Sequence, residues 1–157
     1  MPPTLYVLIG IQGSGKSTWA RANAARLGAV IVASDEIRNE LAAAGLDPEP
    51  LGDRVFATLE DRLDHYLAAG QNVIADATHV RRAWRANEVA VGRKHGAKVV
   101  AIWFDLPLAV CLARNAAKPG GHLWGDRVIP TAILRDMSQH FDPPGRDEFD
   151  RIEVISQ

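Results

Sequence analysis

Gly10-Ile11-Gln12-Gly13-Ser14-Gly15-Lys16-Ser17-Thr18 follows directly on the apolar run Leu5 to Ile9 and leads into the helix-forming run Trp19 to Leu27. Gly10 and Gly15 frame four residues, with Lys16 and Ser17 next, which is the spacing of a phosphate-binding P-loop. A glycine-rich turn between strand and helix lets successive backbone N–H groups point at a polyphosphate, and the helix N-terminus adds positive potential there. On this reading Gly10, Gln12, Gly13, Ser14 and Gly15 form the cradle for ATP, Lys16 reaches the β- and γ-phosphates, and Ser17 takes a position on Mg²⁺. Thr18 is expected to help cap the helix. An ordinary glycine-rich turn is the alternative, but a strand before and a helix after are what a nucleotide site requires.

Working outward, the 157 residues suit one compact domain, residues 1–157, able to bury a continuous core without staples. Eighteen basic and nineteen acidic residues give a net charge of -1, so no global field draws in nucleic acid or an anionic membrane. Cys111 is the only cysteine and sits in the apolar run Leu108-Ala109-Val110-Cys111-Leu112, which reads as a buried thiol rather than a nucleophile. The N-terminal apolar run is too short to span a bilayer and has no basic leader, so a cytoplasmic protein without membrane contact is expected.

Short β-rich runs alternate with longer helical ones, the pattern of an α/β domain with a mainly parallel sheet. Five strands are expected at Leu5 to Ile9, Ala29 to Ala33, Asn72 to Asp76, Lys98 to Phe104 and Arg151 to Ile155. The first four are continuously apolar, as strands covered on both faces are, whereas the last alternates as an edge strand does. Helices are expected at Lys16 to Leu27, Asp35 to Ala44, Leu51 to Ala69, Arg81 to His95, Pro107 to Ala116 and Thr131 to Phe141. Gly28, Gly45, Gly70 and Gly96 follow four of them in the manner of C-terminal caps, and Pro107 is placed in a first helical turn. The glycine-rich stretch Lys118 to Arg127 breaks this order and reads as a mobile lid or as a tolerant surface loop.

Ligands of open parallel sheets lie beyond the carboxyl ends of the strands, so polar residues just after each strand are the candidates for chemistry. Phosphoryl transfer to a hydroxyl needs a carboxylate to take the proton and cations to stabilise the transferring group. Asp35 and Arg38, one helical turn apart, supply a base and a bidentate clamp for a substrate phosphate; the alternative is that Asp35 or Ser34 only caps the helix. Asp76, ending an apolar strand, is placed to hold a Mg²⁺-bound water or to orient a clamp such as Arg38. Asp105 reads as structural. Arg81, Arg82 and Arg85 form either a site for a polyanionic acceptor or a solvated face. Arg114, Lys118 and Arg127 bracket the lid and are placed to close over the ATP phosphates. Histidines lack metal-ligand spacing, so neither a zinc site nor an acyl-transfer centre is expected.

The runs at 10–21, Ser-Asp-Glu-Ile-Arg at 34–38, Asp-Ala-Thr at 76–78, and Ala-Arg-Asn at 113–115 with Arg-Val-Ile-Pro at 127–130 resemble polynucleotide 5′-hydroxyl kinases of the phage-type and bacterial end-healing class. The resemblance implies a P-loop kinase fold, a parallel five-stranded sheet flanked by helices, with a helical lid at about 113–130. It implies ATP- and Mg²⁺-dependent transfer of the γ-phosphate to a 5′-hydroxyl end of RNA or DNA, with Asp35 as base and Lys16 and Ser17 serving ATP and Mg²⁺. Arg38 then contacts the acceptor phosphate, while Asp76, Thr78 and Arg82 fall in the acceptor site, and separate ligase or phosphatase partners complete end repair. His79 stands where this family commonly has Asn, and no long phosphate track is evident. A small-molecule hydroxyl (sugar acid, nucleoside or antibiotic) is therefore the competing acceptor. A nucleotide-switched binding module is a third reading, which the Asp35/Arg38 pair opposes, since a switch needs no acceptor base.

Overall fold

The computed structural model describes residues 1–156, and its centre is a five-stranded parallel sheet in the order β2-β3-β1-β4-β5. The strands are β1 (Thr4–Ile9), β2 (Ala29–Ala33), β3 (Asn72–Asp76), β4 (Lys98–Phe104) and β5 (Arg151–Ile155). Helices α1 (Lys16–Leu27), α2 (Ser34–Ala43), α3 (Gly52–Ala68), α4 (Arg82–Lys94), α5 (Leu108–Ala116) and α6 (Thr131–Gln139) connect and cover them. Among the described residues no helix is long and apolar enough to cross a membrane.

Alternation along each strand splits the core into two layers. Leu5, Val7, Val73, Ala75 and Val99 face one side and pack with Val55, Leu59, Leu63 and Leu67 of α3, whose every-fourth spacing lays one apolar stripe on the sheet. Tyr6, Leu8, Ile74, Val100 and Ile102 face the other side, against Ala20 and Trp19 of α1. A smaller cluster of Ile11, Val80, Cys111 and Leu134 lies where α5 and α6 meet the P-loop. Cys111 is buried there, and desolvation raises its thiol pKa, so it packs rather than reacts.

Several boundaries differ from the sequence expectation for identifiable reasons. β2 is only partly buried because it forms one edge of the sheet; β5 forms the other, as its alternation implied. Pro107 carries an extended ψ of 141°, so it stands just before α5 rather than in its first turn. Thr18 does not cap α1, whose N-cap is Gly15 in the left-handed region. Gly28, Gly45, Gly70 and Gly96 all have positive φ, as helix-ending glycines do.

Arg81, Arg82 and Arg85 take a third role in the structure: they anchor residues 142–148 to the start of α4. Arg85 is fully buried and donates to both oxygens of Glu148, at 2.8 and 2.9 Å, and to the carbonyls of His79, Asp142 and Pro143. Arg82 pairs with Asp147 at 2.5 Å, and Arg81 lies 3.6 Å from Asp142. This staple fixes the turn after β3, where His79 is held at φ 48° with Nδ1 2.8 Å from the carbonyl of Leu8.

Candidate active site

The carboxyl ends of β1, β2 and β3 open into one cleft of about 1380 Å³, lined by the P-loop, the N-terminal part of α2, α3, the β3–α4 turn and the segment after α5. Gln12, Gly13, Gly15, Lys16, Ser17 and Thr18 line its P-loop end, and Asp35, Arg38, Asp53, Phe56 and Glu60 line it from α2 and α3.

The loop has the shape a phosphate needs. Gly13 and Gly15 sit at φ 81° and 95°, which side-chain-bearing residues rarely adopt. A Cβ on Gly13 would collide with the carbonyl oxygen of Cys111, and one on Gly15 would lie 3.4 Å from Nη1 of Arg114, so this guanidinium lies over the loop. Gln12 Oε1 and Ser14 Oγ are buried there without a hydrogen-bond partner, which fits a site whose polar lining is completed by ligand. Lys16 is buried and folds back to donate to the carbonyl of Ile11 at 2.9 Å. Burial lowers its pKa, an effect that the charges of Asp76 and Asp35 partly oppose.

Ser17 Oγ donates to Asp76 Oδ2 at 2.8 Å. Strand order explains this: β3 lies beside β1, so the residue that ends β3 stands next to the start of α1. A hydroxyl beside a buried carboxylate is an oxygen donor set suited to Mg²⁺, which when bound neutralises charge on the β- and γ-phosphates. Asp76 thus stands beside Ser17 at the end of the P-loop, a contact that spacing along the sequence does not show. Asp76→Asn is expected to raise the Mg²⁺ concentration for half-maximal turnover about 10- to 100-fold. Magnesium titrations at saturating ATP check this, and an unchanged requirement sinks the assignment.

Asp35 lies in the first turn of α2 and is not its cap; Ala33 holds that position, with no side-chain cap. Asp35 Oδ1 accepts from Arg38 Nη1 at 3.0 Å. Oδ2 faces the segment after α5, where a Cβ on Gly125 would lie 3.9 Å away. Arg38 is held over the rings of Phe56 and Trp124, at 5.9 and 5.1 Å. Lys118 lines the same space; desolvation lowers its pKa while Asp35 and Asp126 pull it up. The charge of Asp35 favours the protonated forms of both Lys16 and Lys118.

The remaining expected residues divide. Thr78 lines the cleft and its carbonyl accepts from the Gly10 amide at 2.9 Å, tying the β3 turn to the loop. Arg114 and Lys118 reach the donor end, whereas Arg127 stacks on Trp124 at 4.1 Å and Arg82 faces away from the cleft toward Asp147. The sequence reading missed Asn39, Phe56 and Glu60, none of which belongs to a motif. Burial raises the carboxyl pKa of Glu60, and the nearby Glu88 adds to this.

The match with known proteins agrees with this geometry. Residues 5–144 match the family model AAA_33, described as an AAA domain. No curated protein matches the chain. Among solved structures, an unliganded sugar kinase from Janibacter sp. HTCC2649 is 22% identical, with 99% of this chain and 86% of that one covered and a TM-score of 0.70. A chain in an RNA repair complex is 26% identical at TM-score 0.73, over 88% of this chain but only 43% of that one. The APS kinase of Mycobacterium tuberculosis, solved with AMPPNP and APS, is 18% identical over 98% of this chain and 88% of its own, with a TM-score of 0.66. The P-loop, the five-stranded order and a family match across most of the chain lead to one conclusion: the chain belongs to the AAA_33 family of AAA domains, and its fold is that of P-loop kinases.

Proposed function

We propose that this enzyme transfers the γ-phosphate of ATP, with Mg²⁺, to the hydroxyl of a small acceptor that carries an anionic group. The observation that carries this reading is the Asp35–Arg38 pair in the cleft that the P-loop also lines, with Lys118 and Asp126 beside it. Asp53, Glu60 and Asp126 also line the cleft, and Arg81, Arg82 and Arg85 are paired with Asp142, Asp147 and Glu148. One anionic group fits against Arg38, but a long polyanion meets no basic path and like-charge carboxylates instead.

In this mechanism Arg38 occupies Oδ1 of Asp35 and leaves Oδ2 for the acceptor. The acceptor hydroxyl gives its proton to Oδ2 as its oxygen bonds to the γ-phosphorus, and the bond from that phosphorus to the bridging oxygen of ADP breaks. Lys16 and Arg114 stabilise charge on the phosphates.

A 5′-hydroxyl end of RNA or DNA is the second reading. It is favoured by the 26% identity to the RNA repair chain and by an arginine placed to meet a single phosphate. Transfer of labelled γ-phosphate from ATP to a panel of sugar acids, nucleosides and hydroxylated antibiotics, run beside 5′-hydroxyl RNA and DNA oligonucleotides, separates the two. Label on a small acceptor and none on oligonucleotides is expected. Efficient 5′-end labelling overturns the small-acceptor reading.

A further inference from the structure

Two asparagines hold the segment between α5 and α6 in the same way. Asn115 Nδ2 donates to the carbonyl of Ile129 at 2.7 Å and its Oδ1 accepts from the Ile129 amide at 3.0 Å. Asn39 does likewise for Trp124: Nδ2 donates to its carbonyl at 3.2 Å and Oδ1 accepts from its amide at 2.8 Å. Each side-chain amide imitates a strand neighbour, satisfying a donor and an acceptor of one residue at once. The two differ in setting. Asn115 is fully buried and joins two parts of the lid to each other, whereas Asn39 is half-buried and joins the lid to α2, the helix that carries Asp35 and Arg38. Buried from water, the first pair is the more costly to open; the second can exchange with water and release.

We infer that the Asn39–Trp124 pair is a latch that closes the lid onto the acceptor helix, and that Trp124, so held, is a positioning residue that sets acceptor specificity through Arg38. The inference rests on the reading of Asp35 and Arg38 as the acceptor end. Trp124 lies between two guanidiniums, Arg38 at 5.1 Å and Arg127 at 4.1 Å. With Phe56 on the other ring contact, the aromatic groups restrict how Arg38 can turn and favour recognition of an anion by its N–H edge, which is the bidentate mode for carboxylate or phosphate. Arg114 of the same lid lies over the P-loop, so one segment bridges donor and acceptor ends, and the latch determines whether its acceptor end is closed.

The test compares wild type, Asn39→Ala, Trp124→Ala and Trp124→Phe. Hydrogen exchange reads the latch without any acceptor: the Trp124 amide is protected in wild type and loses protection in Asn39→Ala, and trypsin cuts after Arg127 faster in that variant. Kinetics with an acceptor found by the panel above reads specificity. Asn39→Ala and Trp124→Ala raise acceptor KM about tenfold or more with ATP KM within about twofold, and Trp124→Phe restores most of the loss. An unprotected Trp124 amide in wild type overturns the latch. Equal losses in acceptor and ATP KM, or lost protection with unchanged acceptor KM, overturn the specificity role. Should no acceptor be turned over, the acceptor reading of Asp35 and Arg38 falls with the specificity role, while the latch stands or falls on exchange and proteolysis.

Discussion

Asp35→Ala is expected to lower kcat for phosphoryl transfer about 10²- to 10⁴-fold while ATP affinity stays within about threefold of wild type. The asymmetry follows from position. Under the proposed function ATP is held by the loop backbone, Lys16 and Ser17, none of which bonds to Asp35, so the nucleotide site loses only a distant favourable charge. The acceptor loses the group that takes its proton, and Arg38 loses the carboxylate that orients it. Stability should change little, because the side chain is 46% exposed, does not cap α2, and forms only a short-range pair within one helical turn. Asp35→Asn refines the test by keeping the shape and removing the basicity, and its loss should match that of alanine. Single-turnover transfer beside calorimetric titration of a non-hydrolysable ATP analogue measures the two quantities. A variant that transfers phosphate at the wild-type rate would remove Asp35 as base.

How much of this was visible in the sequence depends on how local each feature is. The P-loop is complete within nine residues, and its glycines report their own backbone requirement, so strand, loop and helix follow from that stretch alone. The strands were legible to within a residue because the continuous apolar runs are short and bounded by turn signals. Relations across the chain were not. Ser17 and Asp76 are 59 positions apart, and only the insertion of β1 between β3 and β4 makes them neighbours. Arg82 and Arg85 read as a basic cluster because their partners Asp147 and Glu148 lie more than sixty positions downstream, in a stretch with no motif of its own. Asn39 and Asn115 resemble ordinary polar helix residues until the lid is folded against them.

The buried arginine supplies the second large effect, on stability instead of turnover. Arg85→Ala should destabilise the fold by about 3–5 kcal/mol at neutral pH, because it strands the buried Glu148 carboxylate and three backbone carbonyls. Arg85→Lys should recover only part of this, since an ammonium cannot span both carboxylate oxygens and the carbonyls together. The pH dependence identifies the cause. Burial alone pushes the Glu148 carboxyl up, but its hydrogen bonds from Arg85 and from the Gly145 amide overcome that and hold it below the ordinary value of 4.5. A carboxyl with a depressed folded-state pKa contributes stability in full above its unfolded value, and that contribution fades as pH falls through the folded one. Without Arg85, burial dominates and Glu148 takes up a proton more readily, so protonation relieves the variant while it weakens wild type. Urea denaturation at pH 7 and at about pH 4 should therefore show a wide gap between the two proteins at neutral pH and a narrower one in acid. A parallel shift at both pH values would mean that lost packing, not the stranded carboxylate, is responsible. Replacing both partners, Arg85→Met with Glu148→Leu, should recover only the share due to the stranded carboxylate, because the carbonyls of His79, Asp142 and Pro143 stay without a donor. The same variants decide the role of this arginine in the acceptor site: a staple changes the unfolding midpoint and leaves acceptor KM nearly unchanged in whatever fraction stays folded, whereas a substrate clamp would do the reverse.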